Sequence, residues 1–127
     1  MREVERVSIT HVVAKPSALD GLEFLQDSIA IRIAPDEMLI VSGPIPELAG
    51  DPHAIVEPDA GFFAMWLPIS DARALLARIC EWELPGNAPA FAQGSVAGLP
   101  VKLWFGAERV LFLVPAAYAH DFEERLA

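Results

Sequence analysis

Residues 69–84 have the sequence ISDARALLARICEWEL, and the rest of the chain must be arranged around this stretch. Ser70 is a favourable helix N-cap, and Pro85 follows the stretch as a residue that cannot continue a helix. Four apolar residues between them recur at the i, i+3, i+4, i+7 spacing of one helical face: Ala72, Leu75, Leu76 and Ile79. The pattern predicts an amphipathic helix over residues 69–84 that lies on a sheet.

The segments on both sides of this helix supply strands for that sheet. Residues 61–67, GFFAMWL, are an uninterrupted apolar run that is typical of a buried central strand. Residues 91–97, 101–105 and 110–114 are strand-like and are separated by short turns at Gly98-Leu99-Pro100 and at residues 106–108. The chain then closes with a helix, on which we expect one apolar face: Tyr118, Phe122 and Leu126.

The first half of the chain adds further strands and a long connection. Residues 28–42 alternate with period two on both sides of the turn residues Pro35 and Asp36, which predicts a hairpin. Residues 2–13 are strand-like, and the Pro-rich residues 43–59 predict a surface loop, in which residues 54–57 could form a short strand. Residues 1–127 therefore predict a single α+β domain with a largely antiparallel sheet and two packed helices, in the manner of ferredoxin-like folds.

Charge and hydropathy restrict the class of function. The chain has 9 Lys and Arg against 18 Asp and Glu, a formal net charge of −9. Such a chain repels polyanions and anionic lipid, so we expect no nucleic-acid partner and no membrane partner. The N-terminus lacks the apolar block of a signal peptide, which favours a cytoplasmic location. Apolar residues make up 54 % of the chain, an excess that predicts either a large core or a buried partner surface.

No pattern of reactive side chains predicts catalysis or a metal site. His11, His53 and His120 stand alone in sequence, without a second ligand at metal-binding spacing. Cys80 is the only cysteine, and its helical setting favours a buried thiol. The serines lack a nucleophile-elbow context, and Ser70 is better explained as a helix cap. We therefore predict no catalytic residue and no metal ligand.

Four stretches share their order and spacing with one known family. They are RIAPDEMLI at residues 32–40, SDARALLA at 70–77, CEWEL at 80–84 and VPAAYA at 114–119. In these stretches the chain resembles the gamma subunit of heterotetrameric sarcosine oxidase, which belongs with the folate-binding aminomethyltransferase-like domains of the glycine cleavage T protein. The chain departs from the family pattern where an aromatic residue, a Gly and an Arg-Ser pair are usual: Met38, Ile79, Ala116 and Ala117.

The resemblance implies an accessory role. In such oxidases the large subunits carry FAD, FMN and NAD and perform the chemistry, while the gamma-like subunit is a non-catalytic partner. Our first hypothesis is therefore a gamma-like subunit that packs against a larger flavin-dependent sarcosine or amine oxidase and holds no cofactor. The second is a free-standing folate or one-carbon binding domain with a pocket between helix and sheet, and the third is a structural homo-oligomer.

Five side chains are candidates for a partner or ligand surface. Trp82 lies at the end of the predicted helix, off its apolar face, and Trp104 lies beside Lys102 on a strand. An exposed tryptophan is unusual unless a partner or ligand covers it, although packing against the core is an equal alternative for both. Arg32 and Tyr118 join this set because they lie in stretches that carry the resemblance.

Overall fold

The computed structural model describes residues 4–24, 28–42, 44 and 47–126. The chain divides into a C-terminal unit, Gly61–Ala127 with Met1–Val7, and an N-terminal unit, Ser8–Ala60. The strands of the described residues are β1 Val4–Val13, β2 Ile29–Ala34, β3 Glu37–Ser42, β4 Ile55–Pro68, β5 Ala90–Val96, β6 Leu99–Phe105 and β7 Arg109–Pro115. The helices are α1 Pro16–Asp20, α2 Ile69–Ile79 and α3 Ala119–Leu126, with a 3₁₀ turn at Ala116–Tyr118.

In the C-terminal unit, β7 pairs with β4 on one side and with β6 on the other, and β6 pairs with β5, all antiparallel. One face of this sheet carries the core, because α2 and α3 lie on it. Leu76 of α2 is 0 % exposed, and the ring of Phe122 in α3 lies 6.4 Å from that of Phe112 in β7. The predicted apolar face of the organising helix is thus confirmed, since Ala72, Leu75 and Leu76 are buried and Ile79 packs against the same core.

The predicted boundaries of this helix were wrong at its end and at its cap. Pro68 occupies the N-cap position and no side chain caps the helix, so Ser70 lies inside the first turn. The helix ends at Ile79 because Cys80 adopts an extended conformation. The carbonyl of Ile79 then accepts a hydrogen bond from the Ala97 N–H at 2.9 Å, so a distant turn satisfies the helix end.

Residues 80–84 are extended chain rather than the last helical turn. Cys80, Trp82 and Leu84 pack at the border of the C-terminal core, as expected of alternate residues in an extended segment. The turn after β5 also differs from the prediction. Ala97 and Gly98 both have positive φ angles, of 53° and 81°, and form the two-residue loop between β5 and β6. Both positive values are typical of a type I′ hairpin turn, so Pro100 lies within β6.

The N-terminal unit contains the predicted hairpin. β2 and β3 pair antiparallel across the turn at Pro35 and Asp36, and β3 pairs with β1 on its other side. A small buried cluster joins these strands to α1: Val12, Ala14, Ala18, Leu19, Met38 and Ile40.

The connection at residues 43–59 is shorter than predicted. Residues 43, 45 and 46 lie outside the described residues. β4 begins at Ile55, so the short strand considered at residues 54–57 belongs to β4, which continues without a break into the predicted strand at residues 61–67. Pro58 lies within β4, which is possible at a position where the strand needs no N–H donor.

The α+β class with antiparallel pairing agrees with the prediction, but the ferredoxin-like assignment is not confirmed. The C-terminal unit has the element order strand-helix-strand-strand-strand-helix, whereas the ferredoxin-like motif places its second helix before its last strand. The single-domain assignment stays a prediction. Across the described ranges, no helix has the length and hydropathy that a membrane span requires.

Candidate functional site

The Arg32 side chain makes an ion pair and hydrogen bonds within the N-terminal unit. Its Nη1 lies 2.9 Å from Asp20 Oδ1 at the end of α1, and its Nε donates to the carbonyl of Pro35 at 3.1 Å and to that of Ala34 at 3.2 Å. Its Nη2 also donates to the Pro35 carbonyl and, at 3.4 Å, to that of Pro16. Because one planar guanidinium serves α1 and the hairpin turn together, Arg32 attaches these two elements to each other.

Asp51 makes a second polar link in this unit, and sequence reasoning missed it. Its Oδ2 accepts a hydrogen bond from the Lys15 N–H and its Oδ1 accepts one from the His53 N–H, both at 2.9 Å. These backbone donors, the Lys15 N–H above all, hold the pKa of the Asp51 carboxyl below its usual value. The bond to His53 is a local Asx-type contact that the Asp-Pro-His sequence could have indicated, whereas the bond to Lys15 has no local signal.

Trp82 lies against the edge strand of the C-terminal sheet. Its Nε1 donates to the carbonyl of Ser95 at 2.8 Å. A Cβ added at Gly94 would lie 3.0 Å from its Cε2 atom, so the indole packs closely on the backbone of Gly94 and would have to shift slightly to admit a side chain there. The half-buried ring also borders a groove of about 520 Å³, defined here as the Trp82 groove, with Arg78, Ile79, Glu81, Ser95, Ala97 and Gly98.

A guanidinium fixes the turn that borders this groove. The Arg125 Nη1 donates to the carbonyl of Ala97 at 2.8 Å, and it lies 2.7 Å from the place that a Cβ on Gly98 would occupy. Arg78 contributes to the same groove and donates to the Leu126 carbonyl at 3.4 Å. The Trp82 groove therefore combines an aromatic ring with a cation and the carboxylate of Glu81.

Trp104 lies on the opposite face of the C-terminal sheet, the face away from α2 and α3, which we call the outer face. It stands across from Leu111 on one side and from Phe91 on the other, and Trp66 stands beyond Leu111. Trp66 and Trp104 meet edge to face, with ring centroids 6.2 Å apart, and Leu111 between them is 0 % exposed. The guanidinium of Arg109 stacks 3.8 Å above the ring of Trp66.

Lys102 shares the outer face with Trp104. Its Nζ donates to Gln93 Oε1 at 3.1 Å, and both side chains border a groove of about 490 Å³. Phe62, Pro100, Leu113 and Pro115 supply the apolar part of its lining. Of the five predicted surface residues, the structure thus brings Trp104 and Lys102 together, whereas Trp82 lies at a separate groove and Arg32 lies in the other unit.

Tyr118 is 42 % exposed and lies in the 3₁₀ turn. The expectation that it shares the buried face of the closing helix was wrong, because that face consists of Ala119, Phe122 and Leu126. The chain is in a 3₁₀ conformation at Tyr118, so the α-helical spacing back from Phe122 does not apply there. Its exposure leaves the predicted role as a surface residue open.

The histidines predicted to stand alone differ in their surroundings. His120 Nε2 lies 3.1 Å from Glu124 Oε1. The buried His11 Nε2 lies 3.7 Å from Glu37 Oε2 and makes no hydrogen bond with the part of the chain that the structure describes. Cys80 is partly buried, with its Sγ 3.8 Å from the Trp82 carbonyl oxygen. Among the residues that the structure describes, no three His, Cys, Asp or Glu side chains form a group that could hold a metal ion.

These elements define the class: an α+β chain with antiparallel strands and two grooves beside its β5–β6 hairpin. By sequence, no known protein family and no curated protein matches it. By structure, it is similar to a chain in the heterotetrameric sarcosine oxidase from Corynebacterium sp. U-96, solved in complex with pyrrole 2-carboxylate. The TM-score is 0.76 at 16 % identity, over 99 % of this chain and 80 % of that chain. The resemblance expected from four short motifs is therefore confirmed at the level of the fold.

Proposed function

We propose that this chain is a non-catalytic, gamma-like subunit that packs against a larger flavin-dependent sarcosine or amine oxidase subunit. The observation that carries the proposal is the structural likeness to a chain of a heterotetrameric sarcosine oxidase, which extends over 99 % of this chain. Such coverage means that the likeness includes both units rather than one common motif.

The sequence supports the accessory role independently. It contains no nucleophile, acid–base or metal-binding motif, while its apolar fraction of 54 % exceeds that of an ordinary domain. A subunit that supplies contact surface rather than catalytic groups is expected to combine a high apolar fraction with a lack of reactive motifs. The cytoplasmic location belongs to the same proposal, and so does the folate-binding-like character of the fold, which follows from the family resemblance.

Isolation of the chain from its native cells tests the proposal. The chain carries an affinity tag, and the purified material is examined for stoichiometric subunits and for flavin absorbance. We expect a larger flavoprotein in fixed ratio, and sarcosine-dependent peroxide formation that the chain alone does not show. A chain that elutes as a monomer without flavoprotein would contradict the proposal.

The Trp82 groove favours a second candidate, a free-standing domain that binds folate or another one-carbon carrier. The groove lies where the end of α2 meets β5, and it combines an aromatic ring with charged groups of both signs. Titration of a reduced folate should then quench the fluorescence of Trp82, and Trp82→Phe should abolish most of that change. Unchanged emission at millimolar folate excludes this candidate.

Exposed apolar side chains favour the third candidate, a structural homo-oligomer. Ile55 and Val56 are adjacent in β4 and are 51 % and 40 % exposed. If they pair with a second copy, Val56→Lys should convert an oligomer to a monomer in light scattering. A wild-type chain that is already monomeric at high concentration excludes it.

A further inference from the structure

A groove at one end of the outer face carries a positive charge. This groove, which we call the Lys102 groove, has a volume of about 490 Å³ and lies next to the β5–β6 turn. The middle of the outer face is covered, since Leu111 is 0 % and Ala64 is 2 % exposed. Gln93 and Ser95, which border the groove, are exposed. The Lys102 groove is therefore a local opening beside a covered part of the sheet.

Strand pairing places the polar groups of the groove side by side. Gln93 of β5 stands directly opposite Lys102 of β6, and the Lys102 Nζ donates to Gln93 Oε1 at 3.1 Å. Ser95 lies two residues along β5, so its side chain belongs to the same face of the sheet. Because Lys102 is half-buried and its ammonium is bound by the Gln93 amide, the charge has a defined position at the groove.

The rest of the lining is mostly apolar and has little conformational freedom. Leu113 of β7 stands across from Lys102, and Phe62 of β4 stands across from Pro115. Pro100 at the start of β6 also borders the groove. Proline rings are nearly fixed and a phenyl ring has few rotatable bonds, so these side chains lose little entropy when a ligand covers them.

The polar side chains of the groove offer mainly hydrogen-bond donors. Lys102 can only donate, and Gln93 Oε1 accepts one of its hydrogen bonds, which leaves the amide N–H groups of Gln93 available. The described residues that line the groove include no Asp or Glu, and the ion pairs of the described residues do not include Lys102. A site with a cation and several donors is complementary to an anion that accepts hydrogen bonds.

We propose that the Lys102 groove binds a small organic monocarboxylate. The carboxylate is held by the Lys102 ammonium and the Gln93 amide, and the apolar body of the ligand lies against Phe62 and Leu113. The volume of about 490 Å³ lies within the usual range for small-molecule sites, roughly 300–1,000 Å³. Such binding requires no oxidase partner, so it is independent of the proposed function.

Charge favours a monoanion over a polyanion at this site. The net charge of −9 repels multiply charged ligands, whereas one ammonium balances one carboxylate. Phosphate groups are typically bound by bidentate guanidinium groups, and no Arg is among the described residues that line the Lys102 groove. The Trp82 groove differs, because Arg78 and Glu81 offer both signs of charge there.

NMR titration of the isotope-labelled full chain tests the proposal. The probes are benzoate and hexanoate, which carry one carboxylate on a flat or a flexible apolar body, and benzamide is the neutral control of matching shape. We expect saturable shifts of the backbone N–H signals of Gly94, Gly98 and Lys102 with the carboxylates. Benzamide should bind roughly tenfold more weakly, because it lacks the charge that Lys102 recognises.

Three variants locate the binding charge. Lys102→Met retains an unbranched side chain without the ammonium and should weaken benzoate binding roughly tenfold or more. Arg109→Met changes the net charge equally at an exposed residue outside the groove, and it should leave binding within about twofold. Gln93→Glu places a carboxylate beside Lys102 at an exposed position, so it should also abolish binding. Thermal unfolding confirms that all three variants are folded.

The outcomes are distinct. Localised shifts that disappear in Lys102→Met and Gln93→Glu but persist in Arg109→Met support the site. Unchanged spectra at millimolar benzoate and hexanoate, shifts confined to the Trp82 groove, or equal weakening by Lys102→Met and Arg109→Met overturn it. Equal binding of benzoate and benzamide overturns the recognition of a carboxylate. The subunit role is tested separately by isolation from native cells, so either proposal can fail alone.

Discussion

In the C-terminal unit the helices are attached to the sheet mainly by apolar contacts, whereas in the N-terminal unit the charged side chain of Arg32 joins helix α1 to the β2–β3 turn in addition to a small apolar cluster. The C-terminal core joins α2 and α3 to four strands through residues such as Leu76 and Phe112, each 0 % exposed. The N-terminal cluster is smaller and contains two alanines, so Arg32 and Asp51 supply further links.

The two units should therefore respond to different perturbations. Burial of apolar area does not depend on the protonation of a side chain, and its loss is expensive because the cavity collapses only partly. Hydrogen bonds from charged groups to backbone atoms are weaker where solvent reaches them, and they depend on protonation. Four substitutions separate these expectations, in order of decreasing effect.

Leu76→Ala should have the largest effect, because it removes a fully buried side chain where α2 meets the sheet. We expect a loss of about 2–5 kcal/mol in the free energy of unfolding. Urea titration followed by tryptophan fluorescence measures it, and Leu76→Met, which conserves volume, should cost less than about 1.5 kcal/mol. Equal costs for the two variants would show that the C-terminal core is not tightly packed.

Arg32→Ala should have an intermediate effect that is confined to the N-terminal unit. The loss of the contacts to Asp20 and to the carbonyls of Pro35 and Ala34 should cost about 1–2 kcal/mol, since half-exposed ion pairs add little. Hydrogen exchange at the β2–β3 turn should accelerate, while exchange in α2 should not. Arg32→Lys should restore only part of the protection, because an ammonium lacks the planar set of donors.

Asp51→Asn should have a smaller effect that depends on pH. Since hydrogen bonds lower the pKa of Asp51 in the folded chain, its stabilising contribution is present above the ordinary value of 3.8 and disappears as the pH falls through the lowered pKa. The variant should therefore be less stable than wild type at neutral pH and should approach it in acid.

Unfolding at several pH values measures this difference for Asp51. Glu47→Gln, at an exposed glutamate of the same unit, is the control and should show no comparable dependence on pH. A gap between wild type and Asp51→Asn that stays constant from neutral to acid pH would argue against the two backbone hydrogen bonds.

Ser70→Ala should have the smallest effect, below about 0.5 kcal/mol, because Ser70 is not the N-cap of α2. An N-cap serine would cost roughly 1 kcal/mol when replaced by alanine. Thermal unfolding distinguishes the two values, and a cost near the upper one would restore the cap that the sequence predicts.

Hydrophobic periodicity correctly predicted features that depend on a single helix or on one hairpin. The apolar face of α2 and the alternation in the β2–β3 hairpin were predicted correctly, because helices and strands repeat at fixed intervals. The order of the predicted strands and helices likewise indicated the α+β class. Among the five candidate surface residues, Lys102 and Trp104 were predicted to lie on one strand, and both lie on β6.

Only the tertiary structure decided which distant residues meet. The end of α2 depends on the Ala97 N–H, the position of Trp82 depends on the Ser95 carbonyl, and the attachment of α1 depends on Arg32. The outer face exists because strand pairing places Trp66 and Trp104 on both sides of Leu111 and brings Arg109 over Trp66. The sequence reveals helices and strands through their hydrophobic periodicity, which is a local property. Contacts between distant elements depend on how those elements pack against each other, and periodicity does not encode that packing.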